Sequence, residues 1–200
     1  MFDVVFARGH EPEFVEMAAK LGYSKIIFAH LHMDSIWSMP SVHNSNVDVG
    51  HALFIDSSKK NEVLRMIHQA QHEKIMTIVK AQGDLFNRFI VEKTDAHSLA
   101  DLEYVHKTDH LHFRRSGLDQ VICKAAALSK KVFFTSFTKI LESKDKGLIL
   151  GRIAQNLQFC KKYGVDYGIV SFAQHPFEMK GAHDMRALLT TLSFETTEYH

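Results

Sequence analysis

Cysteine is scarce, with only Cys123 and Cys160 in 200 residues. Both fall on the apolar faces of predicted helices, so they read as buried free thiols of a reducing compartment, not as a disulfide framework. No apolar run reaches the ~18 residues that a membrane span needs. The opening MFDVVFARGHEPEF has no basic segment followed by an apolar stretch, so it is not a secretory signal, and a cytoplasmic location is expected. No G-x-G-x-x-G or P-loop follows any predicted strand, which weakens nucleotide-binding readings. No G-x-S-x-G elbow is present, and neither cysteine stands beside an obvious base. With 46% hydrophobic and 24% charged residues, what remains is an ordinary globular chain, most simply one domain over residues 1–200.

Net charge is also nearly absent, at +1, but it is not evenly spread. Residues 1–100 carry 10 Lys/Arg against 12 Asp/Glu, residues 101–165 carry 12 against 6, and residues 166–200 carry 2 against 5. The balances are therefore −2, +6 and −3. A basic third quarter is weak evidence of an anionic partner, since charge-rich segments are usually solvated faces.

Short apolar runs alternate with amphipathic helices. Phe2 to Phe6 reads as a buried strand, followed by a helix with Pro12 in its first turn and Phe14, Met17, Ala18 and Leu21 inside. Gly22 caps it, and Lys25 to Ala29 forms the next strand. The pattern repeats with Ala52 to Ile55, a helix over about 59–73, Ile75 to Val79, and a helix over about 83–92. Weaker strands are expected near Asp95 to Leu99 and at His110 to Phe113. A helix from Gly117 to about Ser129 precedes Val132 to Phe137, the clearest strand of the second half. A long helix over about Lys146 to Tyr163 buries Ile149, Ile153, Asn156 or Leu157, and Cys160. It ends at Gly164, before the strand Tyr167 to Phe172 and a helix over about 183–192. AKLGYSKIIF and KKYGVDYGIV share a basic helix end, a glycine and a strand, which is the punctuation of a repeated helix-to-strand unit. Continuously apolar strands, each followed by a helix, predict a parallel sheet covered by helices. Seven or eight of them suit a closed α/β barrel better than an open sheet. His30 to Gly50 resists this scheme and reads as a long functional loop.

The richest segment is DHLHFRRSGLDQVICK, Asp109 to Lys124. Ser116 and Asp119 have the spacing of a capping box, which would put Arg114 and Arg115 just outside the positive end of a helix. Guanidinium groups there suit a phosphate. Lys107, His112, Arg114, Arg115, Lys124, Lys139 and Arg152 are the candidate residues for contacting the phosphates of a nucleic acid. The alternative for each is a solvated charge or a surface ion pair.

A metal site is the competing possibility. His30-x-His32 and His110-x-His112 each have the spacing that puts two imidazoles on one side of a strand. The polymerase-and-histidinol-phosphatase (PHP) phosphoesterases use such pairs, but with an H-x-H at the end of the first strand. Here that strand runs into Arg8, Gly9 and a single His10, so the ligand set is short. A metal-dependent PHP-type phosphoesterase stays open as the alternative function. A protein-binding scaffold is the third.

DHLHFRRSGLDQVICKAAALSKKVFFTSF resembles ribonuclease P protein component 3 of archaea, with its Arg-Arg-Ser-Gly-Leu signature before a helix and an apolar strand. ILGRIAQNLQFCKKYGVDYGIVSFAQHPFEMKGAHDMRALLTTL continues the resemblance, which is strongest over residues 107–192. It implies an irregular TIM-barrel-like (PHP-like) α/β barrel of seven or eight strands that has lost its metal site. It also implies a non-catalytic subunit of ribonuclease P, which removes the 5′ leader from precursor tRNA. The partners would be ribonuclease P RNA, precursor tRNA through the complex, component 2 and the other protein components, with no membrane. No cofactor would be bound by this chain, while Mg2+ would serve the RNA catalyst. Arg114 and Arg115 would hold phosphates, and Ser116, Gly117 and Leu118 would shape the helix start. The chain departs from the family in its near-neutral charge, its His30 to Gly50 loop, and an ending, SFETTEYH, without the final helix many relatives carry.

Overall fold

A computed structural model describes residues 1–6, 8–38 and 46–194, the last by its backbone alone. Among these residues seven strands form one sheet in sequential order, and every neighbouring pair is parallel. They are β1 (Phe2–Val5), β2 (Lys25–His30), β3 (Asp48–Ile55), β4 (Met76–Lys80), β5 (Ser98–Ala100), β6 (Val132–Ser136) and β7 (Asp166–Val170). The helices are α1 (Glu11–Lys20), α2 (Met33–Trp37), α3 (Lys60–His72), α4 (Asp84–Lys93), α5 (Gln120–Leu128), α6 (Phe137–Glu142), α7 (Lys146–Tyr163) and α8 (Ala182–Phe194).

Period-2 alternation explains why these strands read as unbroken apolar runs. In β2, Ile26 and Phe28 face α1, while Ile27 and Ala29 point into the barrel with Val4, Ala52, Phe54, Ile78, Ala100, Phe134 and Val170. Both faces are buried, so both must be apolar.

The sheet nearly closes on itself. Phe172 N–H donates to the Val4 carbonyl at 2.8 Å, and Phe6 N–H to the Ala173 carbonyl at 2.8 Å. Beneath them the buried Asp3 carboxylate accepts from Ser171 N–H at 2.6 Å and from Val4 N–H at 2.9 Å. One side chain thus stitches the seam between the first and last strands. Burial pushes the Asp3 carboxyl up to about 6, against the opposing pull of its hydrogen bonds from Ser171 and Val4. A folded-state pKa above the unfolded value means that the native state holds the proton more tightly. This contribution is therefore full below the ordinary value of 3.8 and is lost as pH rises through about 6. It amounts to at most about 3 kcal/mol. Asp3→Asn should flatten the pH dependence of the unfolding free energy across that window, and an unchanged slope would dismiss the carboxyl as its source.

Several expectations shift. The strand expected at His110 to Phe113 is a loop, closed by His110 N–H donating to the Phe113 carbonyl at 3.0 Å. The strand expected at Val132 to Phe137 stops at Ser136, whose hydroxyl caps α6 by accepting from Lys139 N–H. Part of the His30 to Gly50 segment is regular: Met33 and Ile36 bury one side of α2, and β3 begins at Asp48. Residues 39–45 of that segment, and 195–200 of the SFETTEYH ending, lie outside the described residues. No helix among the described residues is long and apolar enough to cross a membrane.

Candidate nucleic-acid interface

The connection from β5 to α5 carries the Arg-Arg segment, and α7 shapes it. Arg152 projects from α7 into the base of this loop, 1% exposed. Its Nε donates to Asp109 Oδ1 at 2.8 Å, and its Nη1 donates to the carbonyls of Glu103 at 2.8 Å and His106 at 2.6 Å. Asp109 Oδ1 also accepts from Arg115 N–H at 2.9 Å, so one carboxylate pinches residues 109 and 115 together. Burial works against the charged Asp109 carboxyl. The Arg115 amide and the Arg152 guanidinium outweigh it and hold its pKa below the ordinary carboxylate value.

Further along the same face of α7, Asn156 Nδ2 donates to the Ser116 carbonyl at 3.0 Å. Gly151 leaves room for the Arg114 guanidinium, whose Nε would lie 3.0 Å from an added Cβ. Gly117, at φ +82°, packs against the Leu102 carbonyl. At the other end of the loop, His106 Nε2 lies 2.8 Å from Asp84 Oδ1 at the start of α4.

The candidate residues separate into three groups. Lys107, His112, Arg114 and Lys124 are exposed, and Arg115 is half-buried. Arg152 is a correction: it is enclosed as the loop's internal brace, where no nucleic acid reaches it. Lys139 faces the barrel mouth, ion-paired to the buried Asp101 carboxylate and 5.6 Å from the Tyr104 ring centroid. The expected capping box also changes. Asp119 is the N-cap of α5, its Oδ1 accepting from Val121 N–H and Ile122 N–H at 2.8 Å each, while Ser116 is buried outside the helix. The helix begins at Gln120, so Arg114 and Arg115 are presented by a braced loop and not by a helix N-terminus. Asp119 and Arg152 were visible as types, but nothing local marked them as a cap and a brace.

The barrel mouth, where the strands end, is a cavity of about 290 Å³ lined by apolar and ion-paired side chains. Phe6, Phe54 and Phe172 pack ring to ring at 5.2, 5.4 and 5.7 Å between centroids. Around them Lys80 pairs with Asp56 at 2.5 Å, and Asp101 Oδ1 accepts from Ser136 N–H at 3.0 Å. Asp101 and Phe172 both adopt positive φ, at 66° and 48°, as the chain leaves β5 and β7. Burial drives the neighbouring Glu103 carboxyl well above its ordinary range, with Asp101 adding to the effect.

The histidine pairs dissolve. His30 Nε2 lies 3.2 Å from His51 Nδ1 on the next strand, while His32 flanks the exposed start of α2. Burial, then the His51 ring, lowers the His30 pKa to about 4. His110 and His112 sit on the exposed loop. Among the described residues no group of three or more His, Cys, Asp or Glu side chains could hold a metal ion.

No family model matches the chain. Ribonuclease P protein component 3 of Methanococcus maripaludis (strain C5) is 23% identical over 152 residues, covering 75% of this chain and 63% of that protein. The component 3 protein of Methanococcus vannielii is 24% identical over 142 residues, covering 70% of this chain and 58% of its own length. The chain thus spans about three fifths of the curated relatives it matches. Among solved structures, a chain of an archaeal ribonuclease P with mature tRNA superposes with a TM-score of 0.72 at 20% identity, over 96% of this chain and 83% of that one. A histidinol phosphate phosphatase of Lactococcus lactis, complexed with zinc, L-histidinol and phosphate, gives 0.60 at 14% identity, over 96% and 93%. The fold is therefore the PHP-like barrel. The mouth of this barrel does not suit a metal: its carboxylates at 56 and 101 are taken by ammonium groups, and three phenylalanines, which offer no ligand, line the cavity beside them.

Proposed function

Because this chain is a distant member of the ribonuclease P protein component 3 family, we propose that it serves as a non-catalytic, RNA-binding subunit of that enzyme. The observation that carries the reading is the contrast between its two cationic regions. At the barrel mouth, Lys80 and Lys139 are committed to Asp56 and Asp101. On the β5–α5 loop, Arg114 is exposed and Arg115 half-buried, and among the described residues neither has a carboxylate within ion-pair distance of its guanidinium. The acid that could have paired with them, Asp109, is already held by the buried Arg152. Free guanidinium groups on a rigid loop suit phosphodiester oxygens, because the ordering cost is met in the folded protein before RNA arrives.

On this reading the chain contributes no chemical step. The RNA, with Mg2+, hydrolyses the phosphodiester bond that frees the 5′ leader, and the protein pairs with component 2 and braces the RNA. Lys107, His112 and Lys124 are the further contacts. Reconstitution with ribonuclease P RNA and the other protein subunits tests it directly. Adding the chain should raise precursor-tRNA cleavage at limiting Mg2+, and Arg114→Ala with Arg115→Ala should demand about tenfold more protein for the same rate. Equal cleavage with and without the chain would remove the proposal.

A further inference from the structure

α5 and α7 pack against each other, and neither contains a single aspartate or glutamate. For α7 that means eighteen residues with cations at Lys146, Arg152, Lys161 and Lys162 and no anion of its own, Arg152 alone being paired among the described residues, with Asp109 of the neighbouring loop. α1, by contrast, carries Glu11, Glu13 and Glu16 within ten residues. The bordering acids do not compensate. Asp119 and Asp145 are engaged in capping α5 and α7, the latter at the end far from Tyr163, and Asp166 lies beyond the turn at Gly164, on β7.

The face is organised as well as basic. Tyr163, half-buried at the end of α7, has Lys124 Nζ at 5.9 Å and Lys162 Nζ at 5.6 Å from its ring centroid. Two ammonium groups are thus gathered on one aromatic ring from two different helices. Lys161 stands exposed beside them. Among the described residues none of the three lysines lies within ion-pair distance of a carboxylate. Gathering like charges without a counter-charge is unfavourable for the free protein, and a polyanion relieves it. From Gly151, beneath the Arg114 guanidinium, to Tyr163 the axis of α7 runs roughly 18 Å. That is the span of several consecutive backbone phosphates.

We infer that the RNA-contacting surface does not end at Lys124 but continues along the α5–α7 face to Lys161, Lys162 and Tyr163. This rests on the RNA-binding reading above and extends it to residues outside the Arg-Arg segment. The lysines follow the phosphate backbone, and the Tyr163 ring holds the Lys124 and Lys162 ammonium groups in register.

The test is a salt titration of the full-length chain binding transcribed ribonuclease P RNA, run for the unaltered protein, for Lys161→Ala with Lys162→Ala, and for Arg114→Ala with Arg115→Ala. Thermal melting of each variant confirms that these surface replacements leave the fold intact. Each double variant should reduce the slope of log affinity against log salt by about 1.5 and weaken binding about tenfold at low salt. A slope unchanged for the lysine pair but reduced for the arginine pair would overturn the extended surface and leave the RNA-binding reading standing. Slopes unchanged for both would overturn the two together.

Discussion

Arg152→Ala should lower the unfolding free energy by about 3–5 kcal/mol, a large part of what a domain of this size has to spare. The truncation removes more than a contact. It strands the Asp109 carboxylate, partly buried, with the Arg115 amide and the more distant Arg114 charge as its remaining support. It also leaves the carbonyls of Glu103 and His106 without their donor. Asp109 would then be a partly buried charge with its nearest counter-ion gone, which is the expensive half of a broken pair. Arg152→Lys should recover only part of the loss, since one ammonium cannot reproduce a fork that reaches a carboxylate and two carbonyls at once. Because the same fork sets the path of the β5–α5 loop, RNA affinity should fall as well, although Arg152 itself touches no RNA. Denaturant unfolding decides the point. A loss under about 1 kcal/mol would mean that the brace contributes little. Pairing the change with Asp109→Ala should give a double variant well short of the sum of the singles, since both report on one interaction.

Gly117→Ala should be comparably damaging for a different reason. At φ +82° the position is already in the region that side chains avoid. An added Cβ would also lie 2.2 Å from the Leu102 carbonyl oxygen and 2.8 Å from its carbon. Both are backbone atoms of the turn that leads from β5, so no flexible side chain can swing aside. Either the Leu102–Tyr104 turn or the start of α5 must move, and Leu118 and Ile122 leave their places in the core with it. A destabilisation of about 3 kcal/mol or more follows from combining backbone strain with overpacking. Gly151→Ala is the built-in comparison, because the three atoms nearest the added methyl there all belong to the Arg114 guanidinium, at 3.0–3.3 Å. That end of a long side chain can shift, so stability should hardly change while the loop's cation is displaced. Melting temperatures for the two variants that came out alike would contradict this reading of the two glycines.

Local signals carried much of this fold. Apolar runs with buried neighbours on both sides marked β1, β2, β6 and β7, and Gly164 ended α7 at the residue expected, at φ +69°. Helical spacing identified Ile149, Ile153 and Cys160 as the inner face of α7 and left Asn156 or Leu157 open between them, of which Asn156 is the buried one. These features are written over three to eighteen residues, which is the range over which period, capping and backbone preference act. The charge segregation was legible too, and so was the shortage of metal ligands after the first strand.

What the sequence could not reveal was how each polar group is satisfied. Arg152 looked like one more surface cation because its partners, Asp109, Glu103 and His106, lie 43, 49 and 46 residues away. His30 looked like the partner of His32, yet its neighbour is His51 across a strand pair. Ser116 matched a capping pattern, but Asp119, three residues later, took the cap, leaving the Ser116 carbonyl to Asn156. In each case the residue type was plain and its role was not. Periodicity follows from the bonded geometry of a short segment, so the chain alone determined the parallel α/β barrel and its basic third quarter. Whether a charge is solvated, paired or buried depends on the desolvation it suffers and the groups that meet it. Only the tertiary structure, by bringing α7 beneath the Arg-Arg loop, decided that Arg152 braces that loop while Arg114 and Arg115 lie outside ion-pair distance of any carboxylate among the described residues.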